Sequence, residues 1–473
     1  MASVQIATLT RSVTRVDVDE VDDLRDQLSG ALLGPSDEGY DEARTIWNAM
    51  VDRRPALIAR CTSTADVQRA VGFARRHQLL LAVRGGGHNI AGNAVCDDGL
   101  VIDLSPMKSV RVDQKKKVAE VGPGATLGDL DRATQAFGLA TPVGINSTTG
   151  IAGLTLGGGF GWLSRAHGLT VDNLIGAEVV TATGEVVRAN NRDHSDLFWA
   201  LRGGGGNFGV VTRFDFRLHE VGPEVLCGLV VYPLAQATDA LRQYREIAAK
   251  LSDETAIWAV LRKAPPLPFL PGEVHGKEII AFAVCHIGDP DEGRSAIEPV
   301  RHLGKPYGEH LGVQPFVAWQ QAFDPLLTPG ARNYWKSHNF SELSDATIDV
   351  LVGYAGELPS PHCEIFVGQL GGKANRVAPT ATAYPHRDAN FVVNVHGRWE
   401  TPAEDDRVIR WSRDFYSAAA PFATGGVYVN FMTGEESDRI RAAYGPNWDR
   451  LVRTKKMYDP GNLFSMNQNI TPR

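Results

Sequence analysis

Val83-Arg-Gly-Gly-Gly-His-Asn-Ile-Ala-Gly92 is the stretch on which the fold turns. Upstream of it, Ala56 to Ala59 reads as a strand. Ser63-x-x-Asp66 is a capping-box signal, and Val67, Ala70, Val71 and Ala74 share one helical face. Leu79 to Val83 then reads as a second buried strand. A strand, helix and strand within about 30 residues make a βαβ unit, whose end is the usual place for a ligand loop. Here that end is Arg84-Gly85-Gly86-Gly87-His88-Asn89, a loop whose backbone N–H groups can approach an anion with no Cβ in the way.

Two further glycine-dense stretches follow, Gly144 to Gly168 and Gly203-Gly204-Gly205-Gly206-Asn207-Phe208-Gly209. The windows 84–92, 144–168 and 203–209 hold 17 of the 49 glycines in the 473 residues, and the remainder of the chain sits at the ordinary share of about 7%. One such loop can be a tight turn; three point to a nucleotide with a pyrophosphate. Gly204-x-Gly206-x-x-Gly209 matches the dinucleotide fingerprint, but a helical segment precedes it and a strand follows, which excludes a Rossmann unit. No G-x-x-x-x-G-K-[ST] occurs, so a P-loop is unsupported. His88 is either an imidazole hydrogen-bonded within its loop or a nucleophile facing an electrophilic cofactor carbon, and residue types alone leave both open.

The formal charge of -7 comes from 48 basic and 55 acidic residues spread along the chain. That distribution excludes the one-sided basic face of a nucleic-acid binder, and Lys115 to Lys117 reads as a solvated hairpin. Cys61, Cys96, Cys227, Cys285 and Cys363 lie far apart without a C-x-x-C pair, which argues against a disulfide framework and a structural metal site and fits a reducing compartment. Met1 to Gly34 mixes charges without an apolar h-region, and no stretch approaches the ~18 apolar residues of a membrane span. A cytoplasmic protein with neither membrane nor nucleic-acid partner is expected, as monomer or homodimer.

Further along, Leu100 to Leu104 and Val118 to Val121 read as strands, and Leu127, Leu130 and Phe137 as the apolar face of a helix. Ala182-Thr183-Gly184 marks a hairpin between Ala177 to Thr181 and Glu185 to Ala189. Asp196 to Leu201 reads as a short helix, and the alternation from Val211 to Leu218 as a half-buried strand. Beyond Glu220 the glycine clusters stop. Val225 to Val231, Ile257 to Leu261, Ile279 to Cys285, Glu364 to Gln369 and Phe391 to Val395 read as strands, with helices near Ala235 to Leu251, Asp345 to Val352 and Asp405 to Ala419. This texture predicts an α+β unit, an antiparallel sheet covered on one face. From Gly426 the tail returns to loops rich in aromatics and amides.

Four ordered motifs carry a resemblance: Val83 to Gly92; Gly150-Ile-Ala-Gly-Leu-Thr-Leu-Gly-Gly-Gly-Phe-Gly161; Asp196-Leu-Phe-Trp-Ala-Leu-Arg-Gly-Gly-Gly-Gly-Asn-Phe-Gly-Val-Val211; and Tyr458-Asp-Pro-Gly-Asn-Leu-Phe464 leading to Asn467-Gln-Asn-Ile470. Together they resemble the berberine bridge enzyme-like oxidases, a branch of the FAD-linked oxidases related to vanillyl-alcohol oxidase. The likeness runs from Trp47 to Ile470 and is weakest between Glu220 and Pro379. It implies an α+β fold: a two-subdomain PCMH-type FAD-binding domain from residues 35–220, completed by a return segment at 426–473, with an inserted α+β substrate domain at 221–425 whose antiparallel sheet roofs the flavin.

The resemblance also implies site residues. The histidine at the position of His88 bonds the flavin 8α-methyl carbon in the family, while Arg84, Gly85, Gly86, Gly87, Asn89, Gly144, Thr149, Gly150, Gly153, Gly157, Gly159 and Val210 fall in its cofactor loops. Many members add a second link through a cysteine in G-x-C-P-T-x-G; this chain reads Gly144-Ile-Asn-Ser-Thr-Thr-Gly150, with Asn146 at that position, so FAD is expected on a single covalent link. Asn467 and Gln468 suit the polar edge of the ring. Thr149 stands where the family gates oxygen access.

Tyr428-Val429-Asn430 resembles the family's Y-x-N element, in which the tyrosine is commonly the base, and a spacing of two places both side chains on one face of an extended segment. A tyrosine of pKa ~10 needs its phenolate stabilised or its proton transfer concerted with hydride departure. Gln369 is a second catalytic candidate on a strand over the flavin, Tyr384 a pocket wall, and His386 and Arg387 structural. The expected activity is a covalent FAD-dependent oxidase that takes hydride from a small alcohol, hemiacetal or amine and passes electrons to molecular oxygen. The rivals are a dehydrogenase with another acceptor and a non-catalytic nucleotide-binding module.

Overall fold

A four-stranded sheet, a five-stranded sheet and a seven-stranded sheet carry the chain. The structure, a computed structural model, describes residues 3–472. Among them no helix is long and apolar enough to cross a membrane, no three His, Cys, Asp or Glu side chains cluster as metal ligands, and all five cysteines are free and buried.

The βαβ unit is present with a twist in its order. Leu57–Arg60 and Leu81–Arg84 both run parallel to Leu100–Asp103, which lies between them, and Ala31–Leu33 pairs antiparallel at the outer edge. The connecting helix Thr64–Arg76 is capped by Ser63, whose hydroxyl accepts the Asp66 N–H at 3.2 Å. Only half of the expected capping box forms, because the Asp66 carboxylate turns to the N–H groups of Ser29 and Thr62 instead.

The five-stranded sheet is antiparallel throughout, in the order Val186–Ala189, Leu174–Val180, Val210–Arg217, Val118–Val121, Val110–Asp113. Lys115 to Lys117 form the exposed turn of its last hairpin. Gly203 to Gly209 follow the helix Ser195–Leu201 and lead into Val210–Arg217, the order that excludes a Rossmann reading. Val210–Arg217 is more deeply buried than its alternation suggested, since it sits in the middle of the sheet. Phe137 differs from expectation: the helix Leu127–Gln135 has ended, and the ring is 44% exposed.

The antiparallel sheet beyond Glu220 has seven strands, ordered Gly308–Pro315, Glu224–Pro233, Glu278–His286, Thr255–Lys263, Glu364–Gln369, Phe391–Trp399, Arg332–Phe340. Helices Ala237–Ala248, Asp345–Ala355 and Asp405–Ala419 cover one face, where Ile257, Ala259, Leu261, Ile365 and Val367 pack against them. Alternation then turns Trp258, Val260, Arg262, Glu364 and Phe366 to the other face, toward the glycine loops. Both edge strands, Gly308–Pro315 and Arg332–Phe340, escape the sequence reading. The second holds Asn333, Lys336, Ser337, His338 and Asn339 buried despite their polarity.

Candidate active site

A cavity of about 390 Å³ lies between the glycine loops and the open face of the seven-stranded sheet. Gly85, Gly86, Gly87, His88, Asn89, Gly144, Asn146, Thr149, Gly150, Gly153, Val210, Tyr428, Asn430, Asn467 and Gln468 all line it. Residues from five separate stretches of chain therefore meet along one surface.

Close backbone approach explains the glycines. A Cβ on Gly86 would stand 2.5 Å from the Gly150 Cα, and one on Gly150 2.5 Å from the Gly86 nitrogen, so the two loops cross main chain to main chain. Gly153 and Gly206, by contrast, would meet nothing within 4 Å and leave open wall. Asn146 Nδ2 and Asn467 Oδ1 are buried without partners among the described residues. A cradle of bare main chain beside unmet amide groups fits FAD, whose pyrophosphate takes backbone N–H bonds and whose ring edge alternates donors and acceptors.

The tail is fixed to this cradle by a buried pair. Lys455 Nζ donates to Asp459 Oδ2 at 2.6 Å and to the carbonyls of Asn207 and Phe464, while the Asp459 carboxylate accepts the N–H groups of Leu463 and Phe464. The Asp459 of the tail motif is thus a strut holding residues 203–209 against 464–468. Asn207 completes it, its Oδ1 accepting the Ile470 N–H at 2.9 Å.

His88 stacks on Trp47, with ring centroids 4.3 Å apart, and its Nε2 lies 3.4 Å from Thr148 Oγ1. Burial, with the nearby Arg398 charge, holds the imidazole at about 3, so it is neutral with a nitrogen lone pair available. The Arg398 guanidinium sits over Trp47, 5.3 Å from the ring centroid.

At the other end, the Tyr428 hydroxyl accepts two hydrogen bonds, from the Gly159 N–H at 3.0 Å and from Asn430 Nδ2 at 2.9 Å. Burial pushes the phenol up to about 12, against the pull of those two donors. The local backbone differs from expectation. Val429–Phe431 is a 3₁₀ turn, so Tyr428 and Asn430 meet by curling rather than by sharing a strand face.

Five predicted positions lie off the cavity wall. Arg84 turns its guanidinium to the Ala43 carbonyl. Gly157 and Gly159 support the wall from behind: a Cβ on Gly157 would strike Asn430 Oδ1 at 2.2 Å, and Gly159 supplies its N–H to Tyr428. Gln369 shares strand parity with Ile365 and Val367 and so faces the helices, where it accepts the Ile257 N–H at 3.0 Å and donates to the Ala248 carbonyl at 3.1 Å. That geometry removes it as a catalytic candidate. Tyr384 lies behind the site, its ring 6.3 Å from that of Tyr428, rather than in the wall.

Sequence reading missed a second polar row. Arg262, Glu364 and His396 stand side by side in register on three neighbouring strands, all lining the cavity. Arg262 Nη1 donates to Glu364 Oε2 at 2.6 Å, and His396 Nδ1 lies 2.9 Å from Glu364 Oε1. Burial alone would raise the Glu364 carboxyl, but the Arg262 charge and the His396 hydrogen bond outweigh it and hold it at about 2. Their spacing of about a hundred and then thirty-two residues offered no local signal.

Comparison with known proteins agrees with this geometry. Residues 55–190 match the FAD binding domain family, and residues 427–471 match the family described as berberine and berberine like. An FAD-linked oxidoreductase of Dictyostelium discoideum is 31% identical over 96% of this chain and 97% of its own length. The (R)-6-hydroxynicotine oxidase of Paenarthrobacter nicotinovorans is 30% identical over 94% of this chain and 97% of its own. The crystal structure of 6-hydroxy-D-nicotine oxidase from Arthrobacter nicotinovorans superposes with a TM-score of 0.84 at 29% identity, covering 94% of this chain and 98% of that one. The chain belongs to the berberine bridge enzyme-like family of FAD-linked oxidoreductases.

Proposed function

We propose that the protein is a covalent FAD-dependent oxidase, with His88 carrying the flavin through its 8α-methyl carbon as the single link. Residues 35–220 and 426–473 form the FAD unit in this reading, and 221–425 brings the substrate. When bound, FAD would supply the two-electron acceptor for the substrate's hydride and the route for those electrons to molecular oxygen, with hydrogen peroxide as the product. The observation that carries the reading is one continuous cavity joining a neutral, stacked His88 to a buried Tyr428.

The residues divide the work. Gly85 to Gly87, Gly150 and Gly153 offer unobstructed main chain to the pyrophosphate, and Asn146 and Asn467 offer unmet amide atoms to the ring. Tyr428 takes the substrate O–H or N–H proton, and the donors from Gly159 and Asn430 stabilise the charge that develops on its oxygen as that proton moves. The relative named as an oxidase of 6-hydroxynicotine, known both as a sequence and as a crystal structure, supports a small-molecule substrate and oxygen as acceptor.

Anaerobic mixing with a panel of alcohols, sugars and amines tests this. A true substrate bleaches the flavin, and air restores the colour within the turnover time with stoichiometric peroxide. Bleaching that persists in air would instead assign a dehydrogenase.

A further inference from the structure

We propose that the substrate is an uncharged molecule bearing a planar aromatic ring, and that Trp335 and Phe366 select it; this deepens the oxidase reading and rests on it. Seven rings close a circuit around the cavity, four from the sheet and three from the glycine loop and the tail. Centroid distances run Trp335 to His396 4.4 Å, His396 to Phe366 6.0 Å, Phe366 to Trp258 5.1 Å, Trp258 to Phe160 6.0 Å, Phe160 to Tyr428 5.2 Å, Tyr428 to Phe431 4.8 Å and Phe431 back to Trp335 5.6 Å. All seven side chains line the cavity, and the circuit ends on the Tyr428 that would take the proton.

Such walls favour offset-stacked or edge-to-face aromatic guests. A sugar needs donors and acceptors all around its rim, but Arg262 and Glu364 are engaged with each other, and the circuit itself offers two unpartnered polar atoms among the described residues, Trp335 Nε1 and His396 Nε2, which suit a ring with one or two polar substituents. Aromatic walls can also hold an ammonium. Here the carboxylate in the cavity lining, Glu364, is already paired with the Arg262 guanidinium at 2.6 Å, which leaves no free anion in the wall to hold a cation.

Isothermal titration calorimetry on the holoenzyme tests this with three probes: benzamide, benzyltrimethylammonium and cellobiose. Benzamide should bind at least about tenfold more tightly than the other two, roughly the worth of one or two aromatic contacts. Trp335→Leu and Phe366→Leu should each weaken benzamide about five- to tenfold, and Trp335→Phe should recover most of the loss. Each variant is first matched to the parent in melting temperature and flavin spectrum. The proposal is overturned if benzamide fails to bind, if cellobiose or benzyltrimethylammonium binds as tightly, or if both folded leucine variants keep the parent affinity. Calorimetry registers the ligand however the flavin is attached, so failure here is separate from a flavin that washes off, which would instead remove the covalent oxidase reading.

Discussion

At the residue scale, Tyr428 carries the sharpest expectation. Its hydroxyl accepts two N–H donors yet burial still holds the phenol at about 12, so at neutral pH the resting group is a phenol. If hydride transfer needs the phenolate, the ionised share grows tenfold per pH unit below that value, and flavin reduction should accelerate from pH 6 to about 10 without a plateau. Tyr428→Phe should slow anaerobic flavin reduction by on the order of 10²–10⁴ while leaving the visible spectrum intact. Stopped-flow reduction at near-normal rate would place the base elsewhere. Its place beside Asn430 was legible from the motif, but its second partner was not: the Gly159 N–H arrives from 269 positions away through a loop no local pattern joins to the tail. Gln369 shows the converse. Its place on a strand was readable, but the face it presents depends on which side the helices cover.

At the element scale, one ion pair fastens the glycine-rich half to the stretch that joins Glu364–Gln369 to Phe391–Trp399. Arg387 Nη1 and Nη2 donate to Asp172 at 2.8 and 2.7 Å, and the same guanidinium reaches the Ala374 carbonyl and Thr382 hydroxyl. The pair is almost wholly buried, so Arg387→Met leaves Asp172 without its countercharge and should cost about 3–5 kcal/mol, read as a lower urea midpoint at unchanged slope. A midpoint within error of the parent would contradict that role. Elements with strong apolar alternation, such as Thr255–Lys263 and Glu278–His286, were readable because one face meets helices and the other a cavity of aromatic and aliphatic walls. Arg332–Phe340 was not, since its buried polar residues carry no hydrophobic period. The aromatic circuit was equally hidden, its rings scattered from Phe160 to Phe431, four of them brought together by sheet register and three carried in by the glycine loop and the tail.

At the scale of the whole molecule, buried and half-buried histidines set the response to acid. Burial holds His167 at about 4, His219 at about 3 and His338 at about 4, each below the ordinary 6.5. Unfolded chains take up these protons first, so the stability contribution is complete above about pH 6.5 and is lost as pH falls toward 4. Asp131, raised by burial to about 7, works in the opposite direction, its contribution fading as pH rises from 3.8 to 7. The lowered histidines, His386 and His88 among them, outnumber the two raised carboxyls Asp131 and Asp215, and the melting temperature should drop between pH 6.5 and 4. His167→Phe keeps the stack on His219, whose rings lie 3.9 Å apart, and should flatten that slope; an unchanged slope would assign the acid sensitivity to other groups. The central claim concerns a single bond at the junction of all three sheets. Acid-precipitated protein, digested and mapped by mass spectrometry, reads that bond directly. The account predicts a yellow pellet and one flavin-bearing peptide that contains His88; complete release of colour into the supernatant, with the His88 peptide at its unmodified mass, would contradict it.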